Sequence, residues 1–82
     1  MENVLIMGYS KEEQKSLRAL GQQIRKYRLK AGYSQEDFAF ECGLHRTYMG
    51  SVERGERNIA VLNLKKIAHT LKLSLSELVA NL

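Results

Sequence analysis

The stretch QEDFAFECGLHRTYMGSVER, residues 35–54, decides how this chain folds. Just ahead of it stands Ser34, whose side-chain oxygen is free to accept an amide at the start of a helix. Gly43 ends that helix, because glycine takes the left-handed terminal conformation without a Cβ clash. Only Gly43-Leu44-His45 separates it from a second helical segment, roughly Arg46 to Arg54, which Gly55 closes. Phe38, Ala39 and Cys42 fall on the inner side of the first segment, and Met49 and Val52 on that of the second. Two short helices joined by so tight a turn cross steeply and need a small residue where they touch. Ala39 sits at that point.

Working outward, Ser10-Lys-Glu-Glu13 is a capping box, with serine and glutamate each serving the other's amide. Leu17, Leu20, Ile24, Tyr27 and Ala31 then recur at steps of three and four, one face of a helix that Gly32 stops. Gly21 weakens the middle of this helix slightly. On the other side, residues Glu56 to Ala60 form a polar connection. Val61, Leu64, Ile67, Ala68 and Leu71 mark a further amphipathic helix. A second capping box, Ser74-Leu-Ser-Glu77, opens a short last one through Leu75, Leu78 and Val79. The expected fold is all-α, a five-helix bundle over residues 11–82, preceded by an N-terminal tail of residues 1–10.

Composition agrees. The 82 residues make one small domain, 27% charged and 44% hydrophobic, with no proline and no tryptophan, which favours helices. Thirteen basic against nine acidic side chains leave a net charge of +4, which suits a polyanionic partner. The single cysteine, Cys42, excludes an internal disulfide and fits a small core residue in a reducing compartment. Val4-Leu5-Ile6-Met7 is too short an apolar run to span a bilayer and lacks a signal peptide's basic start, so a cytoplasmic location without membrane contact is expected. His45 and His69 have no partner at metal-ligand spacing, and no nucleophile–base pair, carboxylate pair or phosphate loop stands out. No metal, no cofactor and no enzymatic activity are expected.

The second of the two short helices presents Arg46, Thr47, Gly50 and Ser51 on its outer face. A DNA major groove, about 12 Å wide, accepts one helix, and residues at the helix N-terminus reach base edges. The matching residues Leu20-Gly21-x-x-Ile24-Arg25, Arg28, Gly32-Tyr33-Ser34-Gln35, Ala39, Gly43-Leu44, Glu53-Arg54-Gly55, Ile67-Ala68, Leu71 and Ser74-Leu75-x-Glu77-Leu78 resemble the phage-repressor (Cro-like, XRE-type) helix-turn-helix family over about three-quarters of the chain. Within that family, His45-Arg46-Thr47-Tyr48 and Glu53-Arg54-Gly55-Glu56-Arg57-Asn58-Ile59 look most like the controller proteins of restriction–modification systems.

The resemblance implies a DNA-binding transcription regulator, a repressor or a mixed activator and repressor, with the reading unit at residues 35–54. It implies that Gln35 bonds a phosphate and that Arg46 reads a base, since a guanidinium donates two parallel bonds to guanine O6 and N7. Thr47, Tyr48 and Ser51 become secondary base readers, the threonine methyl suiting a thymine methyl. Arg54, Arg57 and Asn58 become phosphate clamps, with His45 near the phosphates at the helix start. Arg28 and Glu53 are expected to pair structurally. Some alternatives stay open: Tyr48 packs against Leu44 or the first helix instead, and Arg54 or Arg57 pairs with Glu56. Lys65 and Lys66 read as a solvated face.

Leu62, Leu73, Leu75, Leu78, Val79 and Leu82 exceed what one small core needs, so a symmetric homodimer is expected, reading two half-sites of double-stranded DNA about 34 Å apart. Phe40 falls on the outer side of its helix. Either the apolar tail Val4 to Tyr9 covers it, or it forms with Glu36 and Glu41 a protein-contact face for RNA polymerase. The competing readings are a phage Cro-like repressor, the antitoxin of a toxin–antitoxin pair, and, from another class, a protein-interaction module on the same fold. Arg46, Arg54 and Arg57 argue against the last, which has no use for them.

Overall fold

The computed structural model of the protein describes residues 8–82. Five helices follow one another: α1 (Lys11–Lys30), α2 (Gln35–Cys42), α3 (Arg46–Glu53), α4 (Val61–Thr70) and α5 (Leu75–Leu78). The caps that announced them are in place. At Ser10 and Ser74 both halves of the capping box form, and the Ser34 hydroxyl accepts the Asp37 amide at 3.0 Å. Gly43 takes φ 71°, a left-handed turn that a side chain would oppose, and lets the chain reverse into α3 within three residues.

The core is assembled from all five helices. Ile24 of α1, Phe38, Ala39 and Cys42 of α2, Met49 and Val52 of α3, Ile67 and Ala68 of α4, and Leu78 of α5 are buried together. Each of the larger side chains contributes about 1.5–3 kcal/mol by leaving water. Ala39, at the crossing of the two short helices, is buried as its size requires. The Tyr33 and Phe38 rings meet at 5.4 Å, tilted, and close the core at the α1–α2 turn. Burial pushes the Cys42 thiol up from its ordinary value, which suits a packing role rather than a nucleophile.

Two readings of the sequence are corrected here. Leu78 was expected at a dimer interface, but its side chain is 0% exposed. The capping box at Ser74 aims the single turn of α5 inward, so Leu78 closes the base of the core. Gly21 is more than a weak point in α1. It lies against the end of α3, where an added Cβ would stand 2.5 Å from the carbonyl oxygens of Val52 and Glu53. Glycine at this position is what brings α1 and α3 together. The Val4 to Met7 part of the tail proposed to cover Phe40 lies outside the described residues; Phe40 itself is 80% exposed.

Candidate nucleic-acid interface

The outer edge of the molecule that sequence reasoning singled out is built on the N-terminus of α3. His45 is its N-cap: ring Nδ1 accepts the Thr47 amide at 3.2 Å, satisfying one of the orphan donors of the first turn. Arg46 and Thr47 follow with their side chains exposed. Together with Gln35, Gly50 and Arg54 they line one open groove between the start of α2 and the outer face of α3. The floor of that groove is Gly50, buried beneath Gln35 and the Arg54 guanidinium. It lies on the outer face as expected, and its lack of a side chain lets those two side chains lie across α3.

Beneath the groove one buried ion pair sets the orientation of α3. Arg28 Nε donates to Glu53 Oε2 at 2.7 Å and Arg28 Nη2 to Glu53 Oε1 at 3.1 Å. Arg28 Nη1 donates to the Tyr33 carbonyl at 2.9 Å, and Gln35 Nε2 to Glu53 Oε1 at 3.1 Å. One carboxylate thus ties α1, α2 and α3 at a single point, and each charge removed from water has partners. One of the two amide hydrogens of Gln35 is spent here.

Two of the expected base readers do not stand free on the outer face of α3. Ser51 is buried; its hydroxyl donates to the Tyr48 carbonyl at 2.7 Å and accepts from Arg57 Nε at 3.1 Å. Tyr48 is half-buried against the core, its phenol oxygen accepts from Asn63 Nδ2 at 3.2 Å, and the Arg57 guanidinium carbon lies 5.7 Å from the ring centre. The cause is the connection after α3, from which the Arg57 side chain reaches back to the Ser51 hydroxyl and the Tyr48 ring. Of the four expected base readers, Arg46 and Thr47 are the ones that stand exposed. Asn63 escaped the sequence reading; a polar residue on the inner half of α4, facing a tyrosine, was the only signal.

Arg57 is exposed, with its guanidinium held by Ser51 and Tyr48. Arg54 pairs with Glu56 through two bonds, Nε to Oε2 at 3.0 Å and Nη2 to Oε1 at 3.1 Å, and both side chains stay largely open to solvent. The Arg54 guanidinium holds the Glu56 carboxyl below the usual carboxylate range, with Arg57 adding to it. Asn58 is exposed but sits apart from the groove, beside Tyr9, Glu13, Ser16 and Leu17 at the start of α1. Of the residues expected at a dimer interface, Leu62 is 68% exposed and Leu82 53%. Leu73, Leu75 and Val79 are half-buried, and Val61 joins the exposed set. Among the described residues no helix is long and apolar enough to cross a membrane.

Comparison with known proteins agrees with this geometry. The sequence model of the helix-turn-helix family matches residues 24–78. Control protein C.BamHI of Bacillus amyloliquefaciens is 52% identical over 52 residues, 62% of this chain and 64% of that protein. The match thus spans just under two thirds of that relative. Control protein C.MunI of a Mycoplasma species is 43% identical over 63 residues, 76% of this chain and 85% of that protein. The crystal structure of the restriction-modification controller protein C.AhdI from Aeromonas hydrophila superposes with a TM-score of 0.76 at 44% identity, covering 78% of this chain and 97% of that one.

Proposed function

This chain belongs to the helix-turn-helix family and is a DNA-binding transcription regulator, and from that premise we propose that it is a controller protein of a restriction–modification system, acting as a homodimer on a two-fold symmetric operator. The observation that carries the reading is the exposed start of α3, where Arg46 and Thr47 project beside Gln35 and Arg54 along one groove. Arg46 reads a guanine, Thr47 a neighbouring base, and Gln35, Arg54 and Arg57 hold phosphates on either side. His45 and Asn58 belong to the outer ring of phosphate contacts. The apolar surface for the second protomer is drawn from Val61, Leu62 and Leu82, flanked by Leu73, Leu75 and Val79, without Leu78.

Selection of binding sites from random duplexes with the purified protein tests this. The expected product is a two-fold symmetric site whose half-sites lie about 34 Å apart. Arg46→Ala should then lose preference at one base pair per half-site, by about 1–3 kcal/mol. Arg57→Ala should weaken all sequences alike and lower the salt slope by about 0.9. An asymmetric site, or an Arg46→Ala protein with unchanged preferences, contradicts the reading.

Phe40, with Glu36 and Glu41 exposed on the same short helix, is the surface proposed to touch RNA polymerase. The reading is supported by the 80% exposure of the Phe40 ring between two acidic side chains. Phe40→Ala is expected to bind the operator as the parent does and to lose transcriptional activation in a reconstituted assay. Undiminished activation removes the polymerase contact from the account.

A further inference from the structure

Paired with Arg54, which lines the groove beside α3, stands a negative charge for which neither folding nor recognition as described has any use. Glu56 meets Arg54 across Gly55, whose φ of 77° turns the chain sharply enough to face the two side chains toward each other. The contact is a fork on a fork, the geometry in which a guanidinium accepts a phosphate. Exposed pairs of this kind add little to stability, so holding the fold together does not account for it. The buried carboxylate nearby, Glu53, is already committed to Arg28 and Gln35. Glu56 faces Arg54, one of the two cations that line the reading groove.

We propose that Glu56 is an internal stand-in for phosphate, occupying Arg54 in the free protein so that this arginine engages DNA only where α3 is fully seated. The inference rests on the DNA-binding reading and specifies a selectivity residue within it. On a duplex of arbitrary sequence the helix docks loosely, the carboxylate keeps its arginine, and one phosphate goes unneutralised. In the operator complex the base contacts of Arg46 and Thr47 fix the helix close to the backbone, and a phosphate displaces the carboxylate. The displacement is easy because the pair is solvated. Glu56 therefore lowers background affinity more than operator affinity. Its carboxylate stays ionised at neutral pH, held so by Arg54 and Arg57, and acts as a permanent discount.

The test uses Glu56→Gln in the full chain, titrated by fluorescence anisotropy with two probes across a range of salt concentrations. One probe is a 24-base-pair duplex of scrambled sequence and the other the duplex selected by the parent protein. The scrambled duplex should bind roughly three- to tenfold tighter, with a salt slope steeper by about 0.9, one added phosphate. The selected duplex should gain less, with its slope unchanged, so the ratio of the two affinities falls. Glu12→Gln, which removes an exposed carboxylate elsewhere on α1, should not reproduce the change of slope. In an Arg54→Ala background Glu56→Gln should have no further effect on slope. Weaker binding of both probes by Glu56→Gln overturns the proposal, since it makes Glu56 an aid to Arg54. The same gain in the Arg54→Ala background overturns it too, leaving only a general charge effect. A parent protein that binds neither probe at low salt overturns instead the functional reading beneath it.

Discussion

Glu53→Ala is expected to cost about 3–5 kcal/mol of folding stability, because it leaves a guanidinium buried without its counter-charge. Arg28 and Glu53 are 6% and 7% exposed, and Arg28 places two of its three nitrogens on that one carboxylate. With the carboxylate gone, Arg28 keeps only the Tyr33 carbonyl, and Gln35 loses an acceptor as well. Small domains are held by only about 5–15 kcal/mol in all, so the loss takes about a fifth of the total at the least. Urea denaturation followed by far-ultraviolet circular dichroism measures it directly. Replacing both partners, Arg28→Met with Glu53→Leu, should recover most of the stability, since neither charge then remains to be solvated. A loss below about 1 kcal/mol for Glu53→Ala would show that water reaches the pair, as it does in exposed pairs.

Gly21→Ala is expected to destabilise the chain as well, against the ordinary preference of helices. Within an isolated helix the substitution gains about 1 kcal/mol. Here the new Cβ would stand 2.5 Å from two carbonyl oxygens, those of Val52 and Glu53, and 2.8 Å from the Glu53 carbonyl carbon. These are backbone atoms at the end of a helix, and no side chain can rotate away to relieve the contact. Forcing α1 from α3 costs overpacking of the order of 1–3 kcal/mol or more, and it also stretches the Arg28–Glu53 bonds that cross the same gap. The clash therefore outweighs the propensity. A fall in thermal midpoint of about 10 °C is expected, since each kcal/mol moves a domain of this size by about 4–8 °C. A midpoint that rises would mean that the two helices do not touch at Gly21.

The helices were legible because their ends are written in single residues. Ser10, Ser34, Gly43 and Ser74 each supply a local hydrogen bond or a backbone angle that needs no tertiary context, and all four stand where expected. The inner faces of α1, α2 and α4 followed from spacing except at two helix ends, where Ala31 and Val61, expected to face inward, are exposed. The helix α3 was harder to read. It has eight residues, barely two turns, and its neighbours cover more of its circumference than an amphipathic stripe allows for. Thr47 and Ser51 share a helical face by spacing, yet Thr47 is open and Ser51 is sealed by Arg57. No periodicity within α3 encodes that contact; it depends on the course of residues 54–60. Leu78 failed for a related reason. Counting apolar residues shows that there is a surplus but not which of them the single turn of α5 directs inward.

Glycine was the other blind spot. Gly43 announces itself by the turn it makes, whereas Gly21 and Gly50 lie in regular helix and matter only for what passes above them. Their roles belong to the packing of one helix against another element, which a reading of one segment at a time does not contain. The Arg28–Glu53 pair shows the opposite case. Twenty-five residues separate its members, and only the resemblance to a family linked them before the fold brought them to 2.7 Å.

The account turns on the start of α3 lying in the major groove, and guanine N7 is exposed only there. Dimethyl sulfate protection of the selected duplex by the parent protein and by Arg46→Ala tests this most directly. The parent should shield at least one guanine N7 in each of two half-sites about 34 Å apart, and Arg46→Ala should lose that shielding at a matching guanine in each. Unaltered N7 reactivity across a duplex that the protein demonstrably binds would contradict the account, because α3 would then not be the element that meets the bases.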